Sequence, residues 1–233
     1  MKKTLVLFFA LLVSGILSAQ DNSSGDSKLR FGFKVAPSLA WLKPDIKGYE
    51  SDGSKIGFIY GLMMDYNFSK NYAVDIGLEV SYRGGKLKYD YVLSQNVTAN
   101  GKMTYNIKYL EIPLSIKMKT NEIGYMTYYG QFGVQPGINI GAKMDYVYTQ
   151  VNPSAPVNSV SDKDVDIANQ IVDVNVSILF GIGTEYRISG NTSIMLGLQF
   201  SNGFTDLIKN NDQNGTPIKA VSNYFALNVG VFF

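Results

Sequence analysis

The chain has 233 residues, 45% hydrophobic and 13% aromatic, with 21 Lys and Arg against 19 Asp and Glu, and neither cysteine nor histidine. Such length and apolar content suit a folded chain rather than a disordered one. Without thiol or imidazole, disulfide frameworks, thiolate or His-ligated metal sites and Ser-His-acid hydrolases are excluded, so no catalytic, cofactor-binding or metal-ligating residue is assigned and an enzyme is not expected.

Lys2 and Lys3 precede an apolar run from Leu5 to Leu17, which ends in Ser18 and Ala19 before polar Gln20. This is the pattern of a secretory signal peptide over residues 1–19. Its removal leaves 19 basic against 19 acidic residues, a neutral chain with no field for nucleic acid. A short polar segment, residues 20–29, then leads into a single domain over residues 30–233.

That domain has period-two alternation throughout. Phe31, Phe33, Val35, Pro37, Leu39 and Trp41 share one face of a first strand, and Phe58, Tyr60, Leu62, Met64, Tyr66 and Phe68 that of a second. Tyr72, Val74, Ile76, Leu78, Val80 and Tyr82 follow in a third. In the fourth the phase changes: Tyr105, Ile107 and Tyr109 hold one parity and Leu110, Ile112, Leu114, Ile116 and Met118 the other. A β-bulge at Tyr109 and Leu110 would put both sets on one face, with Pro136 opposite it, where a missing donor costs least. A fifth strand carries Met126, Tyr128, Phe132, Val134, Ile138 and Ile140 on its apolar face, and a sixth carries the even residues from Val172 to Ile188. Ile194, Leu196, Leu198, Phe200 and Phe204 mark a seventh, and Phe225, Leu227, Val229, Val231 and Phe233 an eighth.

Connections alternate in length. Ser69-Lys70-Asn71, Thr120 to Gly124 and Ser189-Gly190-Asn191 are tight turns, whereas residues 43–55, 91–103, 145–171 and 206–221 read as long polar loops. This is the layout of an antiparallel up-and-down sheet with every long loop at one end.

The composition of the polar face decides where the apolar face points. It is rich in glycine (Gly61, Gly77, Gly133, Gly137, Gly141, Gly181, Gly183, Gly197, Gly230) and poor in the Lys and Glu of a solvated strand. Inside a narrow barrel glycine makes room for large inward neighbours, so this face is the lumen and the apolar face meets lipid. Aromatic residues gather near both strand ends, Phe31, Phe68, Tyr72, Tyr186 and Phe233 by the turns and Trp41, Phe58, Tyr82, Tyr105 and Phe204 by the loops, as girdles at two bilayer interfaces. The fold class expected is an all-β, eight-stranded antiparallel transmembrane barrel with short periplasmic turns and long extracellular loops. Its location is the bacterial outer membrane, and its first partner is that bilayer.

Asp65, Asp75, Glu79, Glu111, Asp173 and Glu185 are expected in the lumen with Lys34, Arg83, Lys108, Lys117, Lys143 and Arg187, as an ion-pair network that plugs it. Met63, Tyr129, Met195, Tyr224 and Phe232 add inward bulk that counts against an open channel. Asp162, Asp164 and Asp166 alternate as at the start of a calcium loop, but Ile167 replaces the turn glycine and Asp173 the final Glu, so a solvated loop is expected there.

The segment Tyr109-Leu110-Glu111-Ile112-Pro113-Leu114, with the Leu-Ser-Ala-Gln leader end and the terminal Val-Phe-Phe, resembles the PorT-like outer-membrane β-barrel family over most of the chain. The resemblance implies a non-enzymatic barrel whose founding relative is an accessory of the type IX secretion machinery, with envelope or secretion proteins as partners. It supplies no ligand or catalytic residues. The competing readings are a small solute channel and a surface adhesin acting through the long loops.

Overall fold

The computed structural model describes residues 28–94, 97–151, 158–209 and 218–233; the expected signal peptide over residues 1–19 and the prolines of residues 152–157 lie outside them. Among the described residues the strands are β1 (Leu29–Pro44), β2 (Tyr49–Ser51), β3 (Lys55–Ser69), β4 (Tyr72–Ser94), β5 (Val97–Glu111), β6 (Leu114–Lys119), β7 (Met126–Val151), β8 (Asn158–Asp166), β9 (Val174–Ser189), β10 (Thr192–Gly203) and β11 (Ala220–Phe232). All pairings are antiparallel and close into a ring of 8 strands, with β5 and β6 as consecutive parts of one wall strand and β1 pairing β11. No helix among the described residues is long and apolar enough to cross a membrane; strands form the wall.

The alternation dictates this closure. Phe33, Leu62, Leu78, Phe132, Phe180, Leu198 and Leu227 are exposed on the outside, and their sequence neighbours point into the ring. In hydrocarbon a backbone polar group has no water to bond, so only a closed ladder can present such a face. Trp41 packs on Phe200 and Phe225 near the loop end, with ring centroids 6.3 and 5.6 Å away, and Phe68 stacks on Tyr72 at the turn end at 6.2 Å. The turns are as tight as expected. Gly124 and Gly190 occupy the first central positions of two of them at φ 66° and 54°, where a side chain would be strained.

Three details differ from the sequence reading. Tyr105, Ile107 and Tyr109 point inward and are buried, while Leu110, Ile112, Leu114, Ile116 and Met118 keep the outward parity. The ladder from Arg83↔Ile107 to Glu79↔Glu111 is unbroken, and the extra residue sits on the facing strand, where Lys108 pairs Gly141 but Tyr109 pairs Asn139. Pro136 lies opposite Ile112, whose N–H donates to its carbonyl at 2.9 Å, and not opposite a bulge.

Residues 91–103 are not a long loop either. β4 and β5 continue as a paired ribbon out to Ser94↔Val97, and residues 145–171 hold the end of β7, β8 and a short 3-10 turn at Ala168–Gln170. With β2 on β4 and β8 on β7, the sheet rises beyond the barrel on one side. Beyond the bilayer neither face needs to be greasy, so the period-two contrast fades although the ladder persists.

Glycines let the wall curve around inward bulk. A Cβ at Gly183 or at Gly197 would collide with the Tyr129 phenol, and one at Gly137 would lie 2.9 Å from the Glu111 side chain. Gly197→Leu is expected to lose about 1–3 kcal/mol of stability from overpacking. Urea unfolding in lipid vesicles, followed by the fluorescence of Trp41, measures it, and an unchanged midpoint contradicts the packing described.

A filled lumen as the candidate functional site

At the turn end the lumen holds a buried charge cluster. β6 projects Lys117 inward, where its Nζ lies 2.6 Å from Glu185 Oε1 and 3.0 Å from Asp65 Oδ2. Lys119 Nζ reaches the same Asp65 oxygen at 3.0 Å, and Arg30 binds Glu185 at 2.7 Å while donating to Ser193 Oγ at 2.7 Å. The Phe232 ring sits beneath two of these cations, 4.4 Å from the Arg30 guanidinium and 4.6 Å from Lys117 Nζ. Ser115 donates to Asp75 at 3.4 Å beside them. A mouth of about 510 Å³ opens among the turns, and Arg30, Lys119 and Glu185 are part of its lining.

Deeper in, the charges pair again. Lys34 contacts Glu79 at 2.7 Å and Arg83 contacts Glu111 at 2.7 Å, with all four side chains buried. A hydrogen-bond chain crosses the lumen between them: Gln199 donates to Tyr224 Oη at 3.1 Å, Tyr224 to Gln135 Oε1 at 2.8 Å, and Gln135 to Glu111 Oε2 at 3.0 Å. The Arg83 guanidinium lies 4.5 Å from the Tyr109 ring and 5.2 Å from that of Tyr224, although its Nε and Nη1 have no acceptor in the protein. The segment Leu110-Glu111-Ile112-Pro113-Leu114 now has a physical meaning. Its odd positions place Glu111 on Arg83 and Pro113 against Gly77, and its even positions face lipid.

Toward the loop end the filling turns apolar. Leu42, Leu87, Tyr105, Ile107 and Tyr109 from the wall pack with Ile167, Ile171, Leu207, Ile208 and Ile218 from the connections into one buried cluster. Ile171 pairs with Ile208 as an isolated bridge, and Lys209 N–H donates to the Gln170 carbonyl at 2.8 Å, so the two connections are tied together across the mouth.

Of the charges expected in the lumen, Asp65, Asp75, Glu79, Glu111, Glu185, Lys34, Arg83 and Lys117 are there and buried. Four are not. Lys108 shares the outward parity of Leu110 and lies 4.9 Å from the Tyr82 ring; Lys143 is turned outward by the extra residue at Ile140 and meets Asp164 at 3.4 Å. Asp173 and Arg187 lie past the rims, exposed, against Lys209 and Glu122. Tyr105 likewise leaves the expected girdle for the plug. The bulky inward set Met63, Tyr129, Met195, Tyr224 and Phe232 is buried as expected.

Arg30, Lys119 and the plug residues were missed by the sequence reading. Arg30 shares the parity of Lys34 and Lys119 that of Lys117, which was the available signal, and isolated isoleucines in polar connections were the signal for the plug. Asp162, Asp164 and Asp166 lie on or beside β8, where Asp166 accepts the Ala168 N–H and Asp162 that of Lys163. Among the described residues no group of His, Cys, Asp and Glu could hold a metal ion.

Residues 18–209 match the family described as outer membrane protein beta-barrel domain. The chain belongs to that family. Among solved structures it is similar to neisserial surface protein A (12% identity, TM-score 0.47, 90% of this chain and 98% of that one covered) and to OprG from Pseudomonas aeruginosa (14%, 0.45, 89% and 97%). Ail, the attachment invasion locus protein of Yersinia pestis, is also similar (15%, 0.42, 89% and 100%). No curated protein matches the chain.

In this outer-membrane barrel, Glu111→Leu leaves the Arg83 charge buried and uncompensated. It is expected to cost about 3–5 kcal/mol, whereas the double variant Arg83→Met with Glu111→Leu loses much less. Urea midpoints of the single and double variants test this; equal losses contradict a compensated pair.

Proposed function

We propose that this chain is a non-enzymatic, non-conducting outer-membrane barrel that holds its extracellular sheet above the membrane as a scaffold, in an accessory role in protein secretion or envelope organisation. The observation that carries this reading is the double seal of the lumen, ion-paired at the turn end and apolar at the loop end. A solute channel of this strand number needs an unfilled interior, and here the side chains occupy it. The leader over residues 1–19, followed by the barrel from residue 30, supports export through the periplasm.

The likeness of the Leu-Glu-Ile-Pro-Leu segment to PorT-like barrels supports the secretion role, with partners among envelope proteins. A surface adhesin is the second reading, favoured by the ribbon of β4 and β5 that continues past the wall. Both readings place recognition outside the barrel, which serves as an anchor.

Purified protein in planar bilayers is expected to give no stepwise conductance above the bare membrane. A regular open channel overturns the closed-scaffold reading. Deleting the gene separates its two forms: cargo held unprocessed in the periplasm supports the secretion role. An unchanged secretome with weakened host-surface or matrix attachment supports the adhesin.

A further inference from the structure

Among the described residues the outer wall carries a concavity that the filling of the lumen does not explain. Across β3, β4, β5 and β7, at the loop-end aromatic level, lies a depression of about 500 Å³. Ile56, Tyr82, Lys108, Ile140 and Lys143 line it from the outward parity; Lys55 sits on the inward parity at the start of β3, and the buried Arg83, Ile107 and Ala142 adjoin it from the lumen side. Ile56 and Ile140 are exposed apolar walls, and Tyr82 lies between them. The depression exists because the extra residue on β7 brings Gly141 opposite Lys108, and a Cβ at Gly141 would meet nothing within 4 Å.

Three lysines line the depression from three strands, Lys55 on β3, Lys108 on β5 and Lys143 on β7, while the fourth cation of the lining, Arg83, is buried and paired with Glu111. Lys108 Nζ lies 4.9 Å from the Tyr82 ring, which fixes the ammonium at the level of the aromatic girdle. The nearby carboxylates are engaged by backbone: Asp145 accepts the Asp164 N–H at 2.8 Å and Asp166 the Ala168 N–H at 2.9 Å, while the Lys143 to Asp164 contact is 3.4 Å with both side chains largely in solvent. On the other side of the barrel the same level is occupied by Trp41, Phe200 and Phe225 packed on one another.

We propose that this depression binds the phosphate headgroup of an outer-leaflet lipid, with an acyl chain lying along Ile56 and Ile140. The position decides the occupant. A site that opens sideways at the bilayer interface, apolar toward the hydrocarbon and cationic toward the headgroups, meets a lipid before any soluble ligand. Lysine ammonium groups are compact charges suited to a phosphate. The plain alternative is that each lysine lifts its charge to the interface independently. A shared cavity with a glycine floor distinguishes the two, because independent lysines need no cavity.

The test uses the whole barrel in phosphatidylcholine vesicles, with Trp41→Phe and Tyr82→Trp placing the single tryptophan at the depression. Quenching by brominated phosphatidic acid, a phosphomonoester lipid, is compared with quenching by brominated phosphatidylcholine. Phosphatidic acid is expected to be preferred about fivefold at residue 82 and not at the native Trp41. Gly141→Leu, which fills the floor and leaves all three lysines in place, is expected to abolish the preference, as is the triple variant Lys55→Gln, Lys108→Gln, Lys143→Gln. Unboiled gel migration confirms that each variant is folded. Equal quenching by the two lipids at residue 82, an equal preference at Trp41, or a preference that survives Gly141→Leu each overturns the proposal; the last two assign it to general charge attraction.

Discussion

Lys117 has no solvent exposure and shares its ammonium between Glu185 at 2.6 Å and Asp65 at 3.0 Å, inside a ring whose outer surface is aliphatic and aromatic. A charge in that position has nowhere to go but toward its partners, because the wall excludes water and lipid cannot solvate it. The arrangement follows from one constraint: eight strands enclose too little space for a channel and too much for glycine alone, so the interior must be filled with side chains. Filling it with charges demands that the signs balance locally. Arg30, Lys117 and Lys119 face Asp65 and Glu185 in one cluster, with Asp75 beside them, and Lys34 and Arg83 face Glu79 and Glu111 in the next.

The loop end solves the same problem with different residues. There the connections fold back over the mouth, so Ile167, Ile171, Leu207 and Ile208 can complete a small apolar core with Leu42, Leu87 and Tyr109. Sealing the mouth from within frees the wall above it to act as a plain sheet, and β4, β5, β7 and β8 carry the ladder onward past that level. Among the described residues anchor and extension thus share one antiparallel ladder, interrupted in β7 by the extra residue at Ile140.

Much of this was legible in the sequence because lipid imposes a harsh rule. Wherever a strand crosses hydrocarbon its outward positions must be apolar, and the parity of Phe31, Tyr72, Ile194 or Phe225 could be read without any knowledge of pairing. The tight turns and the glycine-lined interior followed from the same contrast. The readings that failed lie where the rule relaxes. Tyr105, Ile107 and Tyr109 are apolar on the inward parity because they build the plug, and a bulge invoked to keep them outside also misplaced Lys108. Lys143 was misplaced by an extra residue at Ile140, a feature of register between two strands that neither strand displays alone. The ribbon over residues 91–103 lies beyond the bilayer, where polar residues suit both faces of a strand and the chain reads as a loop.

A sealed interior is best tested by asking whether a small solute can reach its middle. The chain has no native cysteine, and Ser201 is fully buried, its hydroxyl donating to Ser177 Oγ at 2.9 Å. Ser201→Cys changes one atom and places the only thiol inside the barrel. The account predicts that in intact vesicles this thiol stays inert to a small charged methanethiosulfonate reagent added on both sides, while a thiol at exposed Ser161 reacts at once. Reaction at position 201 on the same timescale would mean that water and solutes traverse the lumen, and the filled-barrel account would be wrong.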